Sequence, residues 1–171
     1  MFRYVSKSVE DTKKLGKNLA NYLNKGDVII LNGDLGAGKT ALVTGFMSFY
    51  GLENDVSSPT FTIVNEHVIN NDLTIYHLDV YRLEDEDEFY AIGGEEYFEK
   101  GISFIEWGEN IKSALPKEYL EIKIEKDELE ENVRIFNFIP HGEHYEDLLI
   151  NLGRGLLWNY YLFVHLGKTV L

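Results

Sequence analysis

The sequence predicts a three-layer α/β domain whose sheet mixes parallel and antiparallel strands. Three observations carry this. Val28-Ile29-Ile30-Leu31 is a short apolar run that leads through a glycine-rich turn into a helical pattern, the order of a parallel α/β unit. Ile102-Ser103-Phe104-Ile105 is a second compact run of the kind that makes a buried strand. Several further stretches alternate apolar and polar residues and are joined by short polar turns, as antiparallel hairpins are.

Taken in order, Ser8 followed by Asp11 resembles a capping arrangement for a first helix, with Leu15, Leu19, Tyr22 and Leu23 on one face. Asn24-Lys25-Gly26-Asp27 turns the chain into the Val28–Leu31 strand. After the glycine loop, Leu42, Val43, Phe46, Met47, Phe49 and Tyr50 recur at helical spacing until Gly51, a natural C-cap. Pro59 discourages helix at Ser58, so 55–59 reads as a loop. A strand is expected over 61–69, a turn at Asn70-Asn71-Asp72, and a return strand over 73–81 with Ile75, His77, Asp79 and Tyr81 on one face. A short acid-led helix follows over 84–92, and Gly93-Gly94 breaks it. The run 102–107 is the next strand, then a helix around 110–115, strands over 119–125 and 133–139, and a final helix over 143–152.

Composition narrows the classes of function. The 171 residues are 44% hydrophobic, enough for one domain with a sizeable core. A net charge of −13, with only four arginines among 16 basic residues, opposes unaided binding of nucleic acid. With no cysteine, disulfides and thiolate metal sites are excluded. The start lacks the apolar core of a secretory signal, and the longest apolar stretch, 156–166, is too short to span a bilayer. The expectation is a soluble, cytoplasmic chain without membrane contact. His141 and His144 have no further His or Cys near them, so no zinc site is expected. The run 84–88 of alternating Glu and Asp reads as a solvated acidic face.

The chemistry sits in Gly33-Asp34-Leu35-Gly36-Ala37-Gly38-Lys39-Thr40, a complete G-x-x-x-x-G-K-[ST] phosphate loop between the expected strand and helix. Its glycines let successive N–H groups converge on phosphate oxygens, and the helix N-terminus adds partial positive charge. Lys39 is placed to reach the β- and γ-phosphates and the Thr40 hydroxyl to bind Mg²⁺. The chain is therefore expected to bind a nucleoside triphosphate on a P-loop NTPase-like domain. The N-K-x-D spelling of residues 24–27 matches a guanine-reading motif, but it precedes the phosphate loop instead of following it and is read as a turn. A second anchor for the metal is needed at the end of a neighbouring strand. Glu106 and Asp79 compete for it. Glu106 ends the more apolar strand; Asp79, in a polar strand end, suits orienting the attacking water or touching the metal's hydration shell.

Four segments together, G-D-L-G-A-G-K-T (33–40), S-S-P-T-F-T-I-V-N-E (57–66), H-L-D-V-Y-R-L (77–83) and I-E-W-G-E (105–109), resemble the TsaE (formerly YjeE) family over roughly residues 6–150. These are small bacterial ATPases needed to make threonylcarbamoyladenosine beside the tRNA anticodon. The resemblance implies that Gly33, Asp34, Leu35, Gly36, Ala37, Gly38 and Lys39 cradle the phosphates of ATP, and that Thr40 and Glu106 ligate Mg²⁺. It places Thr60 in a first switch loop, Asp79 and Arg82 in a second, and Trp107 beside the site. Thr12 and Arg134 match positions near the nucleotide. Lys39, Asp79 and Glu106 are then the expected catalytic residues. It further implies association with the TsaB and TsaD subunits, with tRNA met only through that complex and ATP used to reset it between rounds. Residues 153–171 extend beyond the matching part, so the expected division is an ATPase domain over 1–152 and a C-terminal extension with no assigned role.

Only Arg82 among the four arginines lies in a motif expected near the γ-phosphate, so hydrolysis by the isolated chain is expected to be slow and dependent on its partners. Two rivals stand beside this reading. A small-molecule kinase needs a second anion-binding surface and an arginine-bearing lid, which the sequence lacks. A non-hydrolysing nucleotide sensor would change partner affinity through binding alone.

Overall fold

In the computed structural model, which describes residues 2–166, seven strands form one sheet in the order β1-β7-β6-β2-β5-β4-β3. These are β1 Phe2–Ser6, β2 Val28–Asn32, β3 Val64–Val68, β4 Thr74–Asp79, β5 Gly101–Glu106, β6 Tyr119–Lys126 and β7 Arg134–His141. The four central strands β6, β2, β5 and β4 run parallel, and antiparallel pairs close both sides: β1 with β7, β7 with β6, and β3 with β4. The predicted mixture of strand directions is thus present. Parallel strands are buried on both faces, and β5 is buried at every position.

Alternation along β2 divides the core in two. Ile29 and Leu31 pack with helices α1 Val9–Leu19, α2 Lys39–Ser48 and the start of α5 Glu143–Leu166. Val28 and Ile30 face Phe89 of α3 Glu86–Ala91, Phe98 of α4 Gly94–Lys100, and Ile111. Helices on both faces of the sheet make the three layers. The α1–α2 contact is close enough that a Cβ at Gly16 would collide with the Leu42 carbonyl, and one at Gly45 with that of Lys13.

Local chemistry explains most element boundaries. Ser8 caps α1 by accepting from the Asp11 N–H at 3.1 Å. Asp85 caps α3 by accepting from the Glu88 N–H at 3.1 Å, so this helix begins two residues later than the acids alone suggest. The expected strand 61–69 is shorter at its start, because the Pro59 carbonyl takes the N–H groups of both Thr62 and Ile63 in a turn. The Gly93-Gly94 break is real, yet Gly93, at φ 73°, opens a new helix, α4, in place of a loop. The expected helix at 110–115 is a pair of 3₁₀ turns over Gly108–Ala114, kinked at Ile111. β1 was not anticipated; it exists only through its pairing with β7, where Phe2 meets Phe138 edge to face at 5.4 Å between ring centres. The last helix was expected to end at 152 and runs on to Leu166. His141 and His144 face different acids, Glu121 at 3.2 Å and Asp27 at 2.7 Å.

α5 is tied to the strand that leads into the phosphate loop. The Tyr145 hydroxyl, on a side chain only 2% exposed, accepts the Val28 N–H at 2.9 Å. Burial first, then the Asp27 charge, pushes the Tyr145 phenol far above its ordinary value. The folded chain therefore holds this proton after the unfolded chain releases it, and that share of stability is present below pH about 10 and lost as pH rises beyond it. Tyr145→Phe is expected to cost about 1–3 kcal/mol in urea unfolding at neutral pH, because it strands the buried amide, and to flatten the loss of stability above pH about 10.

Candidate nucleotide site

β2 ends at Asn32 between β5 and β6, so the loop 33–38 leaves the sheet where three parallel strands present their carboxyl ends. Two glycines are obligatory here for different reasons. A Cβ at Gly33 would sit 2.6 Å from the Ile124 carbonyl oxygen, and Gly38 opens α2 at φ 112°, a left-handed conformation. Within the loop the Ala37 N–H reaches the Asp34 carbonyl at 3.0 Å.

Lys39, the first residue of α2, is only 6% exposed. Its ammonium donates to the carbonyls of Gly33 at 2.6 Å and Asp34 at 3.3 Å, stands 3.7 Å from Glu106 Oε2, and lies 4.7 Å over the Trp107 ring. From outside, Lys126 Nζ donates to the Leu35 carbonyl at 2.9 Å and Arg134 Nη2 to that of Gly36 at 3.4 Å. These two cations, paired across β6 and β7, hold the tip of the loop.

The acids come from the neighbouring strands. Glu106 and Asp79 stand opposite each other in register at the ends of β5 and β4, 4% and 5% exposed. Glu106 Oε1 is 2.9 Å from His77 Nε2, and His77 is fully buried. Asp79 accepts from the Thr60 hydroxyl at 2.7 Å and from the Tyr81 N–H at 3.0 Å. Two left-handed residues flank this pair. Ile63, at φ 68°, accepts the Asp79 N–H at 2.9 Å, and Trp107, at φ 62°, follows Glu106 directly. Such a conformation is costly for a β-branched residue and marks a segment held by its surroundings.

Gly36, Ala37, Gly38, Lys39 and Thr40 line a cavity of about 620 Å³ together with Thr60, Asp79, Glu106 and Trp107. Val9, Leu35, Ala41, Ser58 and Tyr81 complete its walls. That volume lies within the range of small-molecule and cofactor sites. Most of the residues predicted for the site are thereby brought together. Five do not line it: Gly33 and Asp34 line a second hollow beside Ile124 and Lys126, and three more are elsewhere. The Thr12 hydroxyl is buried against that of Ser6 at 2.8 Å, and Thr12 does not line the cavity. Arg82 is exposed, with its guanidinium 5.6 Å from the Phe61 ring in a separate groove. Arg134 meets the loop from its outer side. Sequence reasoning missed Lys126, whose only signal was a basic residue at a strand end beside the loop. It read His77 as a strand-face residue and missed its bond to Glu106, which requires the β4–β5 register.

Comparison with known proteins agrees with the geometry. The profile of the family described as "Threonylcarbamoyl adenosine biosynthesis protein TsaE" matches residues 6–135. The chain is 43% identical over 148 residues to the tRNA threonylcarbamoyladenosine biosynthesis protein TsaE of Bacillus subtilis, covering 85% of this chain and 89% of that protein. It is 41% identical over 116 residues to the protein of the same name from Treponema pallidum, covering 67% and 84%. A crystal structure of Bacillus subtilis YdiB superposes with a TM-score of 0.72 at 33% identity, covering 90% of this chain and 95% of that one.

The Thr60–Asp79 bond pins the loop between Pro59 and Ile63 to the cavity. Thr60→Val is expected to free that loop by about 1 kcal/mol. Amide hydrogen exchange should read this as roughly fivefold faster exchange at Thr62 and Ile63, with exchange in β2 and β5 unchanged.

Proposed function

The chain belongs to the TsaE family, and from that premise we propose how its cavity works. The protein is an ATP-hydrolysing enzyme that acts in the threonylcarbamoyladenosine modification of tRNA. The observation that carries the mechanism is the convergence of Lys39, Thr40, Asp79 and Glu106 on one crevice at the ends of β2, β4 and β5.

ATP binds with its phosphates over the loop 33–38, where main-chain N–H groups and the α2 N-terminus receive negative charge. Lys39, which in this structure spends its protons on the carbonyls of Gly33 and Asp34, exchanges them for β- and γ-phosphate oxygens. The donors left in the cavity suit Mg²⁺: a hydroxyl from Thr40 and carboxylates from Glu106 and Asp79, all hard oxygen groups. Thr40 and Glu106 would hold the ion, which would supply positive charge to neutralise the phosphates. Asp79 orients the attacking water, and its bond to Thr60 links that role to the loop following Pro59. Trp107 walls the site and supports the Lys39 ammonium.

Lys39 is the only cationic side chain lining the cavity among the described residues. Phosphoryl transfer without an arginine to meet the developing charge is slow. We therefore read TsaB and TsaD as the subunits that complete or order the site, and hydrolysis as the step that resets them between rounds. The charge of −13 fits a chain that meets tRNA only through such partners.

Glu106→Ala is expected to lower kcat by at least about 100-fold while calorimetry in EDTA shows magnesium-free nucleotide binding largely kept. Turnover by the isolated chain should rise at least about tenfold when TsaB and TsaD are added. An isolated chain already as fast as the complex would overturn the partner dependence, and no heat on titrating magnesium ATP would overturn the site.

A further inference from the structure

His77 is a buried polar ring with a single bond. Its Nε2 lies 2.9 Å from Glu106 Oε1, while Nδ1 is buried with no hydrogen-bond partner. A carboxylate only accepts, so the ring proton that makes this bond sits on Nε2. The Nε2 proton therefore orients the Glu106 carboxylate through Oε1.

An apolar side chain would fill the same place on β4 without an orphaned nitrogen, so the core tolerates the imidazole for this one contact. Its effect is to distinguish the two oxygens of Glu106. Oε1 is taken by His77, and Oε2, 3.7 Å from the Lys39 ammonium, is left toward the phosphate loop. We propose that His77 is a positioning residue which holds Glu106 by Oε1 and so presents Oε2 to the magnesium of the bound nucleotide. This rests on the reading of Glu106 as a metal holder. Outer-shell partners of this kind typically contribute 10–100-fold to metal affinity or activity.

The test measures, on the full chain, the magnesium concentration that half-restores tight binding of the non-hydrolysable nucleotide AMP-PNP, by calorimetry, with a parallel titration in EDTA. His77→Gln places an amide N–H near the Nε2 position and should keep the magnesium midpoint within about threefold of the native chain. His77→Asn, one methylene shorter, and His77→Met, which fills the space without a donor, should raise it about 10–100-fold. Binding in EDTA should match the native chain in all three, and thermal melting checks that each folds. A folded Asn or Met variant with the native midpoint would overturn the proposal, as would a Gln variant that is as impaired as the others or does not fold. A native chain indifferent to magnesium would overturn the metal reading of Glu106 itself, and this inference with it.

Discussion

Lys39 and Glu106 bring opposite charges to within 3.7 Å of each other in a nearly dry crevice, and the rest of the site is arranged around that fact. The attraction is worth about 4 kcal/mol at an effective dielectric of 20. Desolvation costs several kcal/mol for each ion, so the pair does not stabilise the fold by attraction alone. Two loop carbonyls and an indole face share the ammonium, and His77 shares the carboxylate. What the fold obtains is a cation and an anion held ready where their compensation can be exchanged for phosphate and metal. Stability is not the reason for such an arrangement; chemistry is.

The sheet makes this possible by geometry. β2 lies directly beside β5, with Leu31 opposite Glu106, and β5 lies beside β4, with Asp79 opposite Glu106. One strand launches the phosphate loop and its two successors on the same side end in acids. Antiparallel strands appear only outside this parallel group, where they close the sheet; the outer wall of the loop takes Lys126 from the last parallel strand, β6, and Arg134 from its antiparallel neighbour β7. The other flank is looser in character. There Ile63 and Trp107 adopt left-handed conformations, and the segment after Pro59 is fastened to Asp79 by one side-chain bond and one main-chain bond. Residues held this way by their surroundings are suited to shift when the surroundings change.

How far the site was legible differs from residue to residue. The phosphate loop could be read outright because its chemistry is local: glycine conformations, a helix start, and a lysine and threonine at fixed spacing. The choice between Glu106 and Asp79 could be posed from strand patterns but not decided, since both end buried strands and stand side by side. Thr12 and Arg82 show the opposite limit. Both lie near the site in sequence motifs, yet the Thr12 hydroxyl turns into a buried pair with Ser6, and the Arg82 guanidinium stacks on Phe61 outside the cavity. No pattern along the chain specifies which way such side chains turn.

The sequence by itself determined the class of fold, the identity of the phosphate loop and the family, because each rests on residues close together in the chain or on their order. Tertiary structure alone decided that β1 exists, that α4 follows the glycine pair, that Lys126 braces the loop, and that His77 meets Glu106. Three of these depend on a contact between segments far apart in sequence: β1 on β7, Lys126 on the Leu35 carbonyl, and His77 on the register of β4 against β5. Backbone pairing and close packing select among conformations that local preference leaves nearly equal in energy, and that selection appears only when the strands are side by side.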